Sequence, residues 1–122
     1  MIIAERRMII DCHCHYSAAF FRYREYRMDL ASLVDTMDRH DVARAVLSAA
    51  GEYAAYSTTQ GNAGVRQAVR QFPERFIGFA SINPWSRGIG IEELKRTHEE
   101  YGFVGLVLHP ILQGFEANDP LV

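Results

Sequence analysis

The sequence contains the run Ile9-Ile10-Asp11-Cys12-His13-Cys14-His15, an apolar start followed by two histidines one residue apart. Side chains of a β-strand alternate between its two faces, so Asp11, His13 and His15 are expected on one face. The Cα atoms of the two histidines would then lie about 7 Å apart near the C-terminal end of the strand. Both imidazoles could reach one metal ion, because a Zn–N bond is only about 2.0–2.1 Å long. The alternative to metal binding is that both histidines serve only as polar residues at a strand end.

Four short apolar segments are predicted to form strands, and they recur about every 30 residues, the length of one strand-plus-helix unit. They are residues 8–11, 43–48, 76–82 and 103–108. None alternates cleanly between apolar and polar residues, which is typical of strands buried on both faces of a parallel sheet. The sequence therefore predicts an α/β fold with a parallel sheet and right-handed crossovers.

Helical patterns fill the intervals between these segments. Asp29 is predicted to cap a helix over residues 30–39, which carries one apolar stripe. Asn62 is predicted to cap a second helix that ends before Pro73, because proline cannot continue a helix. A third amphipathic pattern leads to Gly102, which stands where a C-terminal cap belongs.

Polar side chains follow each of the predicted strands. After the histidine pair of the first strand come Ser48, then Asn83 before Pro84, and then His109 before Pro110. The C-terminal ends of parallel strands meet at one rim, where α/β enzymes place their chemistry. We expect these groups to line that rim. His109 could be a third metal ligand, a general base, a hydrogen-bond partner of substrate, or a structural residue of the turn.

The segment over residues 16–28, after the first strand, is long for a strand-to-helix connection and interleaves aromatic residues with arginines. Arg22, Tyr23 and Arg24 are its candidate substrate-binding residues, together with Asn83. Aromatic rings and guanidinium groups would suit a small planar carboxylate. The alternative to substrate binding is that the aromatic residues pack on adjacent segments of the protein and the arginines are solvated.

Composition limits the classes of partner and location. The chain has 122 residues, 48% hydrophobic and 23% charged, as in one soluble domain. A net charge of −2 gives no reason to expect nucleic acid, and no apolar run approaches the ~20 residues that cross a membrane. Residues 1–7 are interpreted as a leader outside the fold, and the cytoplasm is the expected location. Cys12 and Cys14 are expected to be reduced and packed on the outer face of the first strand.

The stretch Asp11-Cys12-His13-Cys14-His15 resembles the DxHxH opening of the amidohydrolase-related metal-dependent hydrolases. Within that superfamily it looks most like the branch that includes the aminocarboxymuconate-semialdehyde and resorcylate decarboxylases. Later stretches resemble the family's first helix and its second to fourth strands, in the family's order. They are residues 37–46, 72–84, 92–94, 102–106, His109-Pro110 and Asn118-Asp119-Pro120. The resemblance covers residues 8–120.

This resemblance implies a (β/α)8 barrel of about 250 residues or more. Residues 8–122 correspond to the N-terminal half of such a barrel, about four β/α units that end after strand four. The resemblance also implies a divalent metal ion, with zinc as the expected metal, held by His13 and His15. The family's further ligands, a histidine on strand five and an aspartate on strand eight, match no residue of this sequence.

The resemblance also implies roles for other residues and a class of reaction. Asp11 would support the histidines or the strand end, and His109 would act in catalysis. Relatives usually carry a lysine where this chain has Val107, so a role for that amine is absent. The reaction would be hydrolysis of a small amide, ester or lactone, or the non-oxidative decarboxylation of a small carboxylate.

Two further interpretations remain open at the level of sequence. One is a metal-dependent deoxyribonuclease or phosphoesterase, whose barrel also opens with an HxH strand, although that group tends to carry a glutamate where this chain has His109. The other is a catalytically silent half-barrel that acts as an interaction module. Whether active or silent, a half-barrel would leave strand edges exposed, which favours association with a second copy.

Overall fold

The computed structural model describes residues 8–17, 29–120 and 122. Along this part of the chain, strands alternate with helices, as the spacing of the apolar segments predicts. The elements are β1 (Ile9–Tyr16), α1 (Leu30–Arg39), β2 (Val42–Ala49), α2 (Glu52–Ala55), α3 (Thr58–Gln71), β3 (Phe76–Ser81), a 3-10 turn (Pro84–Ser86), α4 (Gly88–Tyr101), β4 (Gly105–Val107) and α5 (Pro110–Gln113). The proposed leader, residues 1–7, and the arginine-rich part of the loop after β1 lie outside the described residues.

All four strands are parallel and lie in the order β1-β2-β3-β4, so each strand pairs with its neighbours in sequence. The sheet curls into a half-barrel with the helices packed on its outer side. This arrangement confirms the predicted α/β class and the N-terminal half of a (β/α)8 barrel.

The main hydrophobic core fills the space between the outer face of the sheet and the helices. Every second residue of β2 and β3 contributes to it, because side chains of a strand alternate between faces. Its buried members include Ala45, Leu47, Ala49, Val65, Ala68, Phe76, Ala80 and Phe103. The other face of these strands, which carries Ser48, lines the inside of the half-barrel.

Two of the predicted helix ends are confirmed. The Asp29 side chain accepts a hydrogen bond from the backbone N–H of Ser32 at 2.9 Å, and α1 spans the predicted residues. Gly102 adopts the left-handed conformation (φ 71°) after α4. That conformation is the usual reason for glycine at a helix C-terminus.

The prediction for Asn62 is wrong. Helix α3 begins at Thr58, so Asn62 lies in its second turn and caps nothing. Asn62 is fully buried and its amide pairs with both backbone groups of Ser81, accepting from N–H at 2.8 Å and donating to C=O at 2.9 Å. In the sequence, a polar residue directly before an apolar stripe is typical of a helix cap. In the fold, the side chain of Asn62 instead makes hydrogen bonds to a residue distant in sequence.

In the ranges that the structure describes, no helix is long and apolar enough to cross a membrane.

Candidate metal and catalytic site at the strand ends

Strand β1 is longer than predicted and contains an irregularity at the histidine motif. Asp11 is in register with Ala45 and Cys14 with Leu47, so two residues of β1 stand opposite one residue of β2. Such a bulge re-aims the side chains around it. It puts Asp11 and Cys14 in register with core residues of the outer face, while His15 is in register with Ser48.

The predicted faces of this motif are therefore only partly correct. His13 and His15 do lie together, but the bulge breaks the alternation that would have placed Asp11 beside them. Cys14 packs against the core as predicted, and burial raises the pKa of its thiol, as does the nearby charge of Asp11. Cys12 is exposed, contrary to the prediction for both cysteines, and both thiols are free.

Three imidazole rings converge at the C-terminal ends of β1 and β4. The ring centroids of His13 and His15 are 4.6 Å apart, with the rings edge-on to each other. The ring centroids of His15 and His109 are 5.3 Å apart. Because β1 and β4 are the outermost strands of the sheet, only its curl brings these residues together.

The orientation of His15 is fixed by its contacts to β2. Its Nδ1 lies 3.1 Å from the backbone oxygen of Ala49 and 3.1 Å from Oγ of Ser48. Since a carbonyl oxygen can only accept, Nδ1 carries the hydrogen and the lone pair is on Nε2. Burial lowers the pKa of His15, and the neighbouring His13 lowers it further. A neutral imidazole held through its other nitrogen is the form that binds metal ions.

His109 is held mainly through its backbone. Its N–H donates to Oε1 of Gln113 at 2.9 Å, which fixes the turn after β4. Its Nε2 is buried and has no hydrogen-bond partner among the described residues. Burial lowers the pKa of His109, with a smaller effect from His13. A buried imidazole nitrogen without a partner among the described residues is available to a ligand.

Two other candidate residues make local contacts. Oδ1 of Asp11 accepts a hydrogen bond from the backbone N–H of His13 at 2.9 Å, so the carboxylate braces the bulge. Asn83 uses its Oδ1 to accept from the N–H of Trp85 at 3.0 Å, which caps the 3-10 turn. Arg22, Tyr23 and Arg24 lie outside the described residues.

The histidines fit part of a metal site. Imidazole nitrogens suit zinc and other divalent transition metals, and the contacts of His15 to β2 occupy its Nδ1 and leave Nε2 as the candidate ligand atom. Across residues 8–17, 29–120 and 122, however, no group of three or more histidine, cysteine or acidic side chains is arranged to hold an ion. Within the described residues, the histidines are therefore candidate ligands that do not complete a metal site.

Gln113 and Trp85 belong to this rim although no sequence pattern singles them out. Gln113 has 5% exposure, and Nε1 of Trp85 donates to its backbone oxygen at 2.6 Å. Gln113 stands in a four-residue helix with no periodic pattern. The only available signal is its position four residues after the histidine that ends β4.

The family model for amidohydrolases matches residues 10–122. Among solved structures, the 5-carboxyvanillate decarboxylase of Novosphingobium aromaticivorans, complexed with manganese, has a TM-score of 0.78 at 17% identity, over 96% of this chain and 46% of that one. A manganese-bound dihydroxybenzoic acid decarboxylase from a Polaromonas species has a TM-score of 0.64 at 25% identity, over 84% of this chain and 38% of that one. The 4-oxalomesaconate hydratase of Rhodopseudomonas palustris has a TM-score of 0.67 at 22% identity, over 93% of this chain and 46% of that one.

These matches agree with the half-barrel seen in the structure, and the chain spans less than half the length of each of the three proteins. The family match supports the amidohydrolase prediction, and none of these comparisons supports the deoxyribonuclease or silent-module alternative. Since the family model extends from the second residue of β1 to the last residue of the sequence, the chain belongs to the amidohydrolase family.

Proposed function

We propose that this chain supplies the first half of a metal-dependent hydrolase or non-oxidative decarboxylase that acts on a small carboxylate, lactone or amide. The observation that carries the proposal is the convergence of His13, His15 and His109 at the strand ends, with Nδ1 of His15 held by Ala49 and Ser48, which leaves Nε2 as the nitrogen that could bind a metal ion. A divalent ion at this position would polarise a substrate oxygen or activate a water molecule.

The described residues have separate tasks in this proposal. His13 and His15 hold the ion, and Ala49 holds His15 in the required tautomer through its carbonyl oxygen. Asp11 supports the backbone at His13. His109, whose buried Nε2 has no partner among the described residues, acts as the base or as a hydrogen-bond partner of the substrate.

The substrate class follows from the resemblance and from the relatives. Two of the three relatives described above are decarboxylases of 5-carboxyvanillate and dihydroxybenzoic acid, which favours aromatic carboxylates as the first substrates to test. Arg22, Tyr23 and Arg24 would bind the carboxylate, and Asn83 lies at the same rim at the end of β3. Zinc is the metal we propose from the ligand type, and manganese is the competing choice because both decarboxylase structures contain it.

Metal titration tests the ligand assignment. We expect His13→Ala and His15→Ala each to weaken the binding of Zn²⁺, measured by titration calorimetry, by about tenfold or more, because each removes a direct ligand. His40→Ala is the matched control, since His40 is exposed at the end of α1. Equal affinities in all four proteins would contradict the assignment. The same titration with Mn²⁺ decides between the two metals.

A substrate panel tests the reaction. The metal-loaded protein is incubated with carboxylated phenols, with release of carbon dioxide as the readout, and with lactones and amides, with ring opening or amine release as the readout. Turnover that requires His13 and His15 supports the proposal and selects the reaction. Turnover that persists unchanged in His13→Ala and His15→Ala would contradict it.

A further inference from the structure

Helix α5 follows His109 directly, and side chains from two earlier loops hold it in place. Trp85, in the turn after β3, donates its indole N–H to the backbone oxygen of Gln113 at 2.6 Å. Tyr56, after α2, donates its hydroxyl to the backbone oxygen of Leu112 at 3.4 Å. The position of α5, and therefore of the turn that carries His109, is set by contacts distant in sequence.

The side chain of Gln113 connects the same three parts of the rim from inside. Its Nε2 donates to the backbone oxygen of Ile82 at 2.7 Å and to that of Ala54 at 3.1 Å. Its Oε1 accepts from the backbone N–H of His109 at 2.9 Å. These partners belong to the connections after β3, β2 and β4, so one buried amide joins three consecutive strand ends.

The chemistry of these contacts requires an amide of this length. A carboxylate at the same position would turn an oxygen toward the carbonyl oxygens of Ala54 and Ile82, and the repulsion between them would push the side chain away from the N–H of His109. An apolar side chain would leave the N–H and both carbonyl groups without a partner in a buried place, which is unfavourable for each of them. Only glutamine offers both N–H donors and the acceptor at this reach.

We propose that Gln113 is a positioning residue that holds His109 against His15 at the rim of the half-barrel. The significance of this inference rests on the proposed function, in which His109 acts on the substrate. The placement of the ring, in contrast, is a property of the metal-free protein and is measured without metal or substrate.

The test compares Gln113→Glu with Gln67→Glu, which adds the same charge at an exposed position of α3. Nuclear magnetic resonance of the 122-residue protein gives two readouts: the hydrogen-exchange rate of the His109 amide, and the nuclear Overhauser effect between the rings of His15 and His109. We expect Gln113→Glu to accelerate the exchange about tenfold and to abolish the ring contact while circular dichroism remains native. Gln67→Glu is expected to change neither readout.

A residue that only stabilised the fold would lower the melting temperature but would leave the rings in contact in the folded state. A folded Gln113→Glu protein that keeps the contact between His15 and His109 would therefore overturn the proposal. If Gln113→Glu does not fold, Trp85→Phe removes a single hydrogen bond to Gln113 and retains an aromatic ring. Several-fold faster exchange at His109 would then support the proposal, and unchanged exchange would overturn it.

Failure of the proposed function is a separate result. If His13→Ala and His15→Ala bind Zn²⁺ as the unmodified chain does, the metal assignment fails, while the effect of Gln113 on His109 stands or falls by its own measurement.

Discussion

Asn62 connects three elements through one fully buried amide. In addition to its two bonds with Ser81, its Nδ2 donates to Oε1 of Glu93 at 2.9 Å, so α3, β3 and α4 meet at this side chain. Glu93 also pairs with Arg96 at 2.7 Å. An amide satisfies a backbone N–H, a carbonyl and a carboxylate together, which neither an aspartate nor a leucine can do.

We expect Asn62→Asp to lower the free energy of unfolding by about 2–4 kcal/mol, because it removes both donors and brings a second carboxylate toward Glu93. Urea unfolding followed by circular dichroism measures the loss. Asn118→Asp makes the same change at an exposed position and is expected to have almost no effect. Equal stability of the two variants would show that the buried amide contributes little.

At the scale of elements, the packing of the segment after α4 on the sheet depends on a glycine, Gly78, which has no side chain. The chain after α4 inserts the ring of Phe103 against Gly78 of β3, and a Cβ atom at Gly78 would overlap that ring. Phe103 is 2% exposed and belongs to the main core. Glycine is therefore required here by the close approach of a ring to the backbone.

We expect Gly78→Ala to destabilise the protein by about 1–3 kcal/mol through overpacking. Gly64→Ala is the matched substitution within α3, where a methyl group meets nothing within 4 Å, and it is expected to stabilise by about 1 kcal/mol. Thermal unfolding of both variants measures the contrast. A Gly78→Ala protein as stable as the unmodified chain would mean that the ring of Phe103 moves aside freely.

The same elements mark what the sequence could and could not predict. Apolar segments located the strands, and an apolar stripe with the cap residue Asp29 located α1, because local propensity and burial act together there. The extension of β1 through Tyr16 and its bulge follow from pairing with β2, for which the sequence has no local signal. The proximity of His15 and His109 was predictable, because both residues follow parallel strands at the same rim. The roles of Asn62 and Gln113 were not, because their hydrogen-bond partners are distant in sequence.

At the scale of the whole molecule, the described sheet has two outer strands that pair on one side only, β1 and β4. Large apolar side chains are exposed along β1, where Met8, Ile9 and Ile10 have exposures of 68%, 46% and 43%. The inner face also carries Arg44, in register with Ile10, and its buried Nε has no hydrogen-bond partner among the residues described. Parallel strand edges that pair on one side only, together with exposed apolar side chains at the start of β1, indicate a surface suited to pairing with further strands.

The isolated 122-residue chain is therefore expected to self-associate through these edges. Sedimentation velocity at micromolar concentrations should detect species heavier than 13.9 kDa whose fraction rises with concentration. Ile10→Glu should reduce that fraction, because a charge on an edge strand opposes pairing and can face Arg44 without loss of stability. Ile111→Glu adds the same charge at a residue of α5 that is 96% exposed and lies off the sheet, so it should leave association unchanged. A strictly monomeric chain, or an equal effect of both variants, would contradict association through the strand edges.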